Sequence, residues 1–188
     1  MCYECYQLIH FNLQPKNSNL INQGSLDQVL ILAVYQPPIS QLIKALKYQH
    51  TRAAGKMLAQ LLFLHINFPE FDLITSAPIS KKRLNERGFN QAQLIAEELA
   101  SKLNKPFKKL LKKIKDTKKQ ARSSFQQRLS NLSDCFRVES PYRDFVKNKT
   151  ILIIDDVIST GSTLNECAKT LKASGAKQVI GVALAQSL

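Results

Sequence analysis

The stretch from Ile151 to Thr163, ILIIDDVISTGST, decides the fold class predicted for this chain. Its first four residues are aliphatic and mostly β-branched, which is typical of a central parallel strand buried on both faces. A run of small residues around Gly161 follows, and the segment from Thr163 to Ala173 has helical periodicity. Gly175 is a suitable residue to end that helix, and Val179 to Leu184 is the next apolar run. The stretch therefore begins a strand-helix-strand unit, for which a right-handed crossover is expected.

Two adjacent carboxylates, Asp155 and Asp156, follow the predicted strand. Ligands of open α/β sheets collect at the carboxyl ends of the strands, and neighbouring carboxylates there are usually satisfied by hydroxyls, a cation or solvent. The small residues after them can wrap a phosphate with backbone N–H groups at the start of a helix, where glycine allows close approach. The pattern predicts a ribose 5-phosphate site, and an acidic turn before a Ser/Thr-capped helix is the alternative without a ligand. The candidate phosphate-binding residues are Ser159, Thr160, Gly161, Ser162 and Thr163.

The rest of the chain supplies further strands and helices in alternation. The predicted elements are strands at 29–35 and 71–76 and helices at 39–50, 53–65 and 94–103. This alternation predicts an α/β fold, with an open, mostly parallel, twisted sheet flanked by helices. One domain is expected over residues 27–188. Residues 1–26, which contain a Cys-x-x-Cys pair, are predicted to form a small knuckle and a linker.

Basic residues are concentrated in two segments. The first is a loop predicted before the helix that begins near Asn90, and it contains Lys81, Lys82, Arg83 and Arg87. The second has nine lysines between residues 102 and 119, where a helix and an edge strand both stay open, and residues 116–131 are predicted to be a loop. The net charge of +13 indicates a polyanionic partner. A nucleic acid, an anionic membrane surface and a phosphorylated small molecule all fit that charge.

The sequence predicts a cytoplasmic protein without membrane insertion. The first thirty residues lack the pattern of a secretory signal, and the longest apolar stretch, Met57 to Ile66, is too short to span a bilayer. In a reducing compartment, the four cysteines of a chain of this length are expected to stay as thiols or metal ligands.

The motif ILIIDDVISTGST resembles the motif with which type I phosphoribosyltransferases bind 5-phosphoribosyl 1-diphosphate (PRPP). This resemblance implies the type I phosphoribosyltransferase fold with a small variable hood. It also implies that Asp155 and Asp156 hold the ribose 2′ and 3′ hydroxyls while residues 159–163 hold the 5-phosphate. Other stretches, over residues 29–188, resemble the ComF-type competence proteins, which include amidophosphoribosyltransferase-like chains. These stretches are Leu46-Lys47-Tyr48, Pro78 to Arg83, Arg87 to Gln91, Gln120, Arg128, Asn131 and Phe136.

The resemblance also implies roles for the basic loop and for a lid. The basic loop corresponds to the family's diphosphate-binding loop, which acts together with Mg²⁺. Its candidate residues are Lys81, Lys82, Arg83 and Arg87. Residues 118–128 resemble a flexible lid that closes over PRPP, and its candidate residues are Lys119, Gln120 and Arg122. A transferase of this kind displaces diphosphate at the ribose anomeric carbon, and the sequence does not identify the acceptor.

The N-terminus departs from the family pattern. ComF-type proteins commonly begin with a zinc module of two Cys-x-x-Cys knuckles, and this chain has the single pair Cys2 and Cys5. By this resemblance residues 1–26 are a truncated knuckle and linker. Cys2 and Cys5 are candidate zinc ligands, with His10 as a further candidate, and a segment that binds no zinc is the other option.

The resemblance to ComF-type proteins implies a role in DNA uptake during natural transformation, and two functions follow from it. Under the first, the chain catalyses a PRPP-dependent transfer. Under the second, it is a non-catalytic PRPP-sensing or nucleic-acid-binding module, and the lysine-rich face of residues 102–119 contacts single-stranded DNA or a helicase of the uptake machinery. Phe107 is the only aromatic residue within that lysine run, which is sparse for a surface that stacks bases.

Overall fold

The computed structural model describes residues 2–12, 24–49, 51–115 and 135–187. In chain order its elements are α1 (Tyr3–Gln7), β1 (Gln28–Val34), α2 (Ile39–Tyr48), α3 (Arg52–His65), β2 (Leu73–Ser76), α4 (Lys81–Arg87), α5 (Gln91–Leu103), β3 (Leu111–Lys113), β4 (Phe136–Val138), β5 (Thr150–Ile158), α6 (Ser162–Ala173) and β6 (Gln178–Gln186). A short 3₁₀ helix, Ser140–Tyr142, lies between β4 and β5.

The main sheet is parallel throughout and has the strand order β1-β6-β5-β2. Strand β5 lies between β6 and β2, and its aliphatic residues 151–154 are fully buried. The unbroken aliphatic run is explained by this position, because helices cover both faces of a parallel sheet and leave no polar side. The α/β fold with a parallel sheet flanked by helices, which the sequence predicted, is confirmed.

Helices pack on both faces of the sheet and form two apolar cores. Ile43 of α2, Leu58 of α3 and Leu99 of α5 are fully buried in one core. Leu171 of α6 is fully buried in the other, together with Leu111 of β3. Each such side chain contributes about 1.5–3 kcal/mol through its burial, and these contacts hold the strand ends in place. Within the described ranges, none of the helices is long and apolar enough to cross a bilayer.

Strand β5 is longer than the sequence indicated. The aliphatic run ends at Ile154, but parallel pairing with β6 continues at Asp155↔Ala183, Val157↔Ala185 and Ile158↔Gln186. The prediction that the two carboxylates follow the strand is therefore wrong in its boundary, since both lie within the last four residues of β5. Strand β6 provides nine residues of partner backbone, so the ladder continues beyond the aliphatic side chains.

A short helix, α4, forms where the sequence predicted a basic loop. The side-chain oxygen of Ser80 accepts a hydrogen bond from the backbone N–H of Arg83 at 3.2 Å, which caps the start of the helix. Gly88 ends the helix in the left-handed region with a φ of 72°, and its N–H donates to the carbonyl oxygen of Leu84 at 2.8 Å. The loop prediction is wrong because these two caps stabilise a helix that would be too short to form by itself.

Asn90 connects the start of α5 to the carboxyl end of β2. Its side chain is buried, and its oxygen accepts from the N–H of Ala92 at 3.1 Å, which caps α5. Its amide nitrogen donates to the carbonyl oxygen of Ala77 at 2.9 Å. The predicted helix start near Asn90 is confirmed, and the same side chain fixes the chain on both sides of α4.

The lysine-rich segment contains an edge strand. Strand β3 pairs with β4 in an antiparallel ribbon, with partners from Leu111↔Val138 to Lys113↔Phe136. The structure therefore selects the strand over the helix for residues 111–113. The predicted loop and lid, with Lys119, Gln120 and Arg122, fall within residues 116–134 and lie outside the described residues.

The N-terminal segment packs against the main sheet. Ile9 is buried in the core on the side of α2 and α3. The N–H of Asn12 donates to the carbonyl oxygen of Leu32 at 2.8 Å, and the N–H of Val34 donates to the carbonyl oxygen of His10 at 3.0 Å. Residues 9–12 therefore lie along β1.

Candidate functional site

A cleft of about 300 Å³ opens at the carboxyl end of β5, the position where parallel α/β sheets bind ligands. The end of α2, the chain from Ala77 through α4, the end of β5 and the start of α6 all contribute to its lining. Its charged lining residues are Lys47, Arg83, Arg87, Lys113, Asp155 and Asp156. Four cations thus surround two carboxylates, which suits a polyanionic ligand that also carries hydroxyl groups.

The two carboxylates occupy different environments in the cleft. Asp156 pairs with Lys47, whose Nζ lies 2.8 Å from Oδ2. Asp155 accepts a hydrogen bond at Oδ1 from the backbone N–H of Asp156 at 2.8 Å. Burial, and then the charge of Asp156, raise the pKa of Asp155 from 3.8 to about 7, while that hydrogen bond and the charges of Lys47 and Arg83 oppose the shift. At neutral pH both forms of Asp155 are therefore populated. The protonated form can donate a hydrogen bond to a hydroxyl, and the ionised form can only accept one.

The turn after β5 has a backbone shape that suits a bound anion. Gly161 has a φ of 72°, which residues with a side chain rarely adopt, and as the N-cap of α6 it contributes no capping side chain. The hydroxyl of Thr160 approaches the N–H of Ser162 only to 3.5 Å. The first N–H groups of a helix lack acceptors within the helix, so they and the helix dipole can bind a phosphate. Thr163 lines the cleft, whereas the side chain of Ser159 is exposed.

The basic residues of α4 divide into two pairs. Arg83 and Arg87 line the cleft from positions one helical turn apart. Arg87 also donates from Nη1 to Oε1 of Gln91 at 2.9 Å, which orients its guanidinium group. Lys81 and Lys82 are exposed and lie outside the cleft lining. The structure thus places two of the four predicted diphosphate-binding residues in the same cleft as the carboxylates and leaves the two lysines outside its lining.

Lys47, Tyr48 and Lys113 also line the cleft, although no role was predicted for them from sequence. Tyr48 is 69% exposed, and the guanidinium carbon of Arg87 lies 5.7 Å from the centre of its ring. A signal for the first two was present, because Leu46-Lys47-Tyr48 is one of the family-like stretches. Lys113 gave no such signal, since it is one of nine lysines in a single run.

The two N-terminal cysteines lie at the start of α1, outside the cleft lining. The N–H of Cys5 donates to Sγ of Cys2 at 3.4 Å. Hydrogen bonds from Cys5 lower the pKa of the Cys2 thiol, while the hydrogen bond and charge of Cys2 raise the pKa of Cys5. Among the described residues, no group of three or more His, Cys, Asp and Glu side chains is arranged to hold a metal ion. The zinc site of Cys2 and Cys5, with His10 as a further candidate, stays a prediction.

Comparison with known proteins defines the class to which this fold and cleft belong. Residues 90–187, more than half of the chain, match the family model described as "Phosphoribosyl transferase domain". The matched segment includes α5, β5, α6 and β6, and thus the carboxylate pair and the glycine turn. The parallel sheet with its cleft at β5 is the type I phosphoribosyltransferase fold.

Individual relatives define the family more narrowly. The chain is 30% identical over 188 residues to Competence protein F of Haemophilus influenzae, which covers 95% of this chain and 81% of that protein. It is 32% identical over 162 residues to DNA utilization protein YhgH of Escherichia coli K12, with coverages of 81% and 69%. Competence protein ComFC of Bacillus subtilis is 34% identical over 103 residues, which covers 55% of this chain and 39% of that protein. The chain belongs to the ComF-type competence proteins of the type I phosphoribosyltransferase family.

Solved structures with a similar fold show low sequence identity. Glutamine PRPP amidotransferase from B. subtilis matches with a TM-score of 0.44 and 21% identity, over 70% of this chain and 25% of that chain. Adenine phosphoribosyltransferase from Thermoanaerobacter pseudethanolicus matches with a TM-score of 0.43 and 18% identity, over 77% of this chain and 84% of that chain.

Proposed function

We propose that this chain binds PRPP together with Mg²⁺ in the cleft at the end of β5. The observation that carries the proposal is that Asp155, Asp156, Arg83 and Arg87 line one cleft beside the turn at Gly161. PRPP has a diol, a 5-phosphate and a 1-diphosphate, and each has a matching partner. The carboxylates bind the diol hydroxyls, the N–H groups of the turn bind the 5-phosphate, and the arginines pair with the diphosphate.

The donor set of the cleft also fits Mg²⁺. This ion takes oxygen ligands, keeps several waters, and is usually held by one or two carboxylates together with the phosphates of a substrate. Asp155 and Asp156 would provide carboxylate oxygens, and the phosphates of PRPP and water would provide the remaining ligands. The bound ion would neutralise charge on the diphosphate.

A phosphoribosyl transfer in this cleft would break the bond between the anomeric carbon and the diphosphate and join that carbon to an acceptor nucleophile. The residues of the chain would act by positioning and by electrostatic stabilisation. Asp155 and Asp156 would fix the sugar through its diol, and Arg83 and Arg87 would stabilise the charge on the departing diphosphate. Diphosphate release from PRPP in the presence of purine, pyrimidine, amine and nucleic-acid acceptors distinguishes a transferase from a PRPP-sensing module.

Loss of either arginine of the cleft is expected to weaken PRPP binding. Arg83→Gln and Arg87→Gln each remove charge-assisted hydrogen bonds worth about 1.5–3 kcal/mol, so titration calorimetry with PRPP and Mg²⁺ should give a Kd at least about tenfold higher. Lys81→Gln and Lys82→Gln should change Kd by about threefold at most, because both lysines lie outside the cleft lining and solvent screens their charges. Lys56→Gln, at a side chain of α3 that is 68% exposed, is the control. Equal Kd values for the wild type and both arginine variants would contradict a diphosphate site at α4.

Binding of single-stranded DNA is a second candidate function. Relatives of the chain are named as competence and DNA utilization proteins. In the structure, Lys108, Lys109 and Lys115 are exposed on either side of β3, while Lys112 pairs with Glu139 at 3.2 Å. A surface of this kind binds phosphates without reading sequence. The PRPP cleft would then regulate the DNA-binding module rather than turn over a substrate.

The exposed lysines around β3 are expected to set the salt dependence of DNA binding. Each phosphate contact on a single strand adds about 0.7 to the slope of log affinity against log salt concentration. Replacing Lys108, Lys109 and Lys115 together with Gln should therefore reduce the slope by about 2 in fluorescence-anisotropy titrations of an oligo-dT probe. The slope of the wild type is the reference, and PRPP binding should not change. An unaltered slope in the triple variant would exclude this surface as the DNA contact.

A further inference from the structure

The last turn of α2 directs one lysine into the cleft. Ile43 and Leu46 are buried in the core, and this packing fixes the position of Lys47. Lys47 lines the cleft and places its Nζ 2.8 Å from Oδ2 of Asp156. Lys44, one turn earlier on the same helix, is exposed. The helix therefore presents one lysine to the carboxylates and the other to solvent.

The ion pair of Lys47 and Asp156 is largely enclosed. Its two side chains are 17% and 19% exposed, whereas the pairs Lys56–Glu98, Lys112–Glu139 and Lys172–Asp27 each have a side chain that is 34% exposed or more. Exposed pairs contribute about 0–1 kcal/mol, but separating an enclosed pair leaves both charges poorly solvated. Lys47 is therefore expected to leave Asp156 only when another anion takes its place.

A ribose diol and Lys47 compete for the same carboxylate. A hydroxyl that binds Oδ2 of Asp156 must displace the ammonium group that already lies there. The displaced ammonium would remain in a cleft also lined by the cations Arg83, Arg87 and Lys113, whose like charge disfavours it there. A diphosphate on the carbon beside the diol brings negative charge to this place. Ribose 5-phosphate has a hydroxyl on that carbon and brings none.

We propose that Lys47 is a positioning residue that exchanges its ion pair with Asp156 for an ion pair with the 1-diphosphate of PRPP. This exchange makes the cleft prefer PRPP over ribose 5-phosphate. This inference rests on the proposed function of the cleft. When the diol of PRPP binds Asp156, one ion pair of Lys47 replaces another. When ribose 5-phosphate binds, the same ion pair breaks without a replacement. The two ligands share the diol and the 5-phosphate, so Lys47 adds to the preference that Arg83 and Arg87 create through the diphosphate.

Lys47→Gln tests the exchange through the ratio of two dissociation constants. The Kd values of PRPP and of ribose 5-phosphate are measured by calorimetry in the presence of Mg²⁺. The variant should raise the Kd of PRPP at least about tenfold and leave that of ribose 5-phosphate unchanged or up to about threefold lower. Lys47→Arg keeps the charge and should restore most of the preference. Lys44→Gln, on the exposed face of the same helix, should bind both ligands as the wild type does.

Two results would refute the proposed exchange of ion pairs at Lys47 without refuting PRPP binding in the cleft. If both ligands weaken equally, Lys47 supports the shape of the cleft without choosing between them. If PRPP binding is unchanged, Lys47 does not contact the diphosphate. A wild-type chain that binds neither ligand would instead refute the proposed function, and the exchange with it. If thermal unfolding shows that Lys47→Gln is not folded, Lys47→Met gives the same comparison with a side chain of similar length.

Discussion

Replacement of Asp155 and Asp156 together by Asn is expected to raise the Kd of PRPP at least about 100-fold, which abolishes binding at ordinary concentrations. Both carboxylates line the cleft, where each would bind a ribose hydroxyl. At about pH 8, where Asp155 with its pKa of about 7 is mostly ionised, both carboxylates are charged acceptors, and two hydrogen bonds of about 1.5–3 kcal/mol each exceed about 3 kcal/mol. Asn has nearly the same size, so the cleft keeps its shape. Titration calorimetry with PRPP at saturating Mg²⁺ measures the loss.

The matched control for the double variant is Asp144→Asn. Asp144 is 93% exposed and pairs with Lys147 at 2.8 Å, outside the cleft lining. Its replacement also removes one negative charge, but PRPP binding should not change. Both proteins should unfold cooperatively on heating, which shows that any lost binding is not lost folding. An unchanged affinity of the double variant for PRPP would show that the two carboxylates do not bind this ligand.

Asp155→Asn is expected to change how stability depends on pH. Burial raises the pKa of Asp155 from 3.8 to about 7, so between these values the folded chain holds a proton that the unfolded chain has lost. The group's contribution to stability is therefore fully present below its ordinary pKa and is lost as the pH rises to about 7, by at most about 1.4 kcal/mol per pH unit. Asn does not titrate and lacks this decline. Asp155 as a residue is half-buried, so solvent screens part of the shift, and we expect a net effect of about 2 kcal/mol rather than the full value that the pKa difference implies.

Urea unfolding of the wild type and of Asp155→Asn at about pH 4 and pH 8 measures this effect. The free energy of unfolding of the variant minus that of the wild type should be about 2 kcal/mol larger at pH 8 than at pH 4. Asp144→Asn is again the control, because the neighbouring Lys147 lowers the pKa of Asp144, and the same increase should not occur. If the difference in free energy of unfolding between Asp155→Asn and the wild type does not vary with pH, the pKa of this carboxyl is not raised by folding.

The parts of the site that consist of consecutive residues could be predicted from the sequence. The strand, the turn and the helix from Ile151 to Ala173 are present, and Gly161 and Gly175 both have a positive φ. Such features depend on local properties, namely a run of aliphatic side chains, a glycine without steric restriction, and helical periodicity. The alternation of elements likewise sufficed to predict a parallel sheet.

The parts of the fold and of the site that depend on contacts between residues distant in sequence could not be predicted. Lys47 reaches Asp156 because the buried face of α2 fixes its last turn against the sheet, and no spacing in the sequence encodes that approach. The length of β5 was missed for the same reason, since its last residues pair with β6 although two of their side chains are acidic. The helix α4 depends on caps at Ser80 and Gly88, which a reading of charge alone overlooked.

Backbone-amide NMR spectra of the chain during titration with PRPP and Mg²⁺ test the proposed site most directly. Binding in the cleft should shift the resonances of Gly161, Ser162 and Thr163 at the turn and of Arg83 in α4, with saturation at one PRPP per chain. Shifts confined to the lysine-rich strand β3, or no shifts at all, would contradict binding of PRPP at the end of β5.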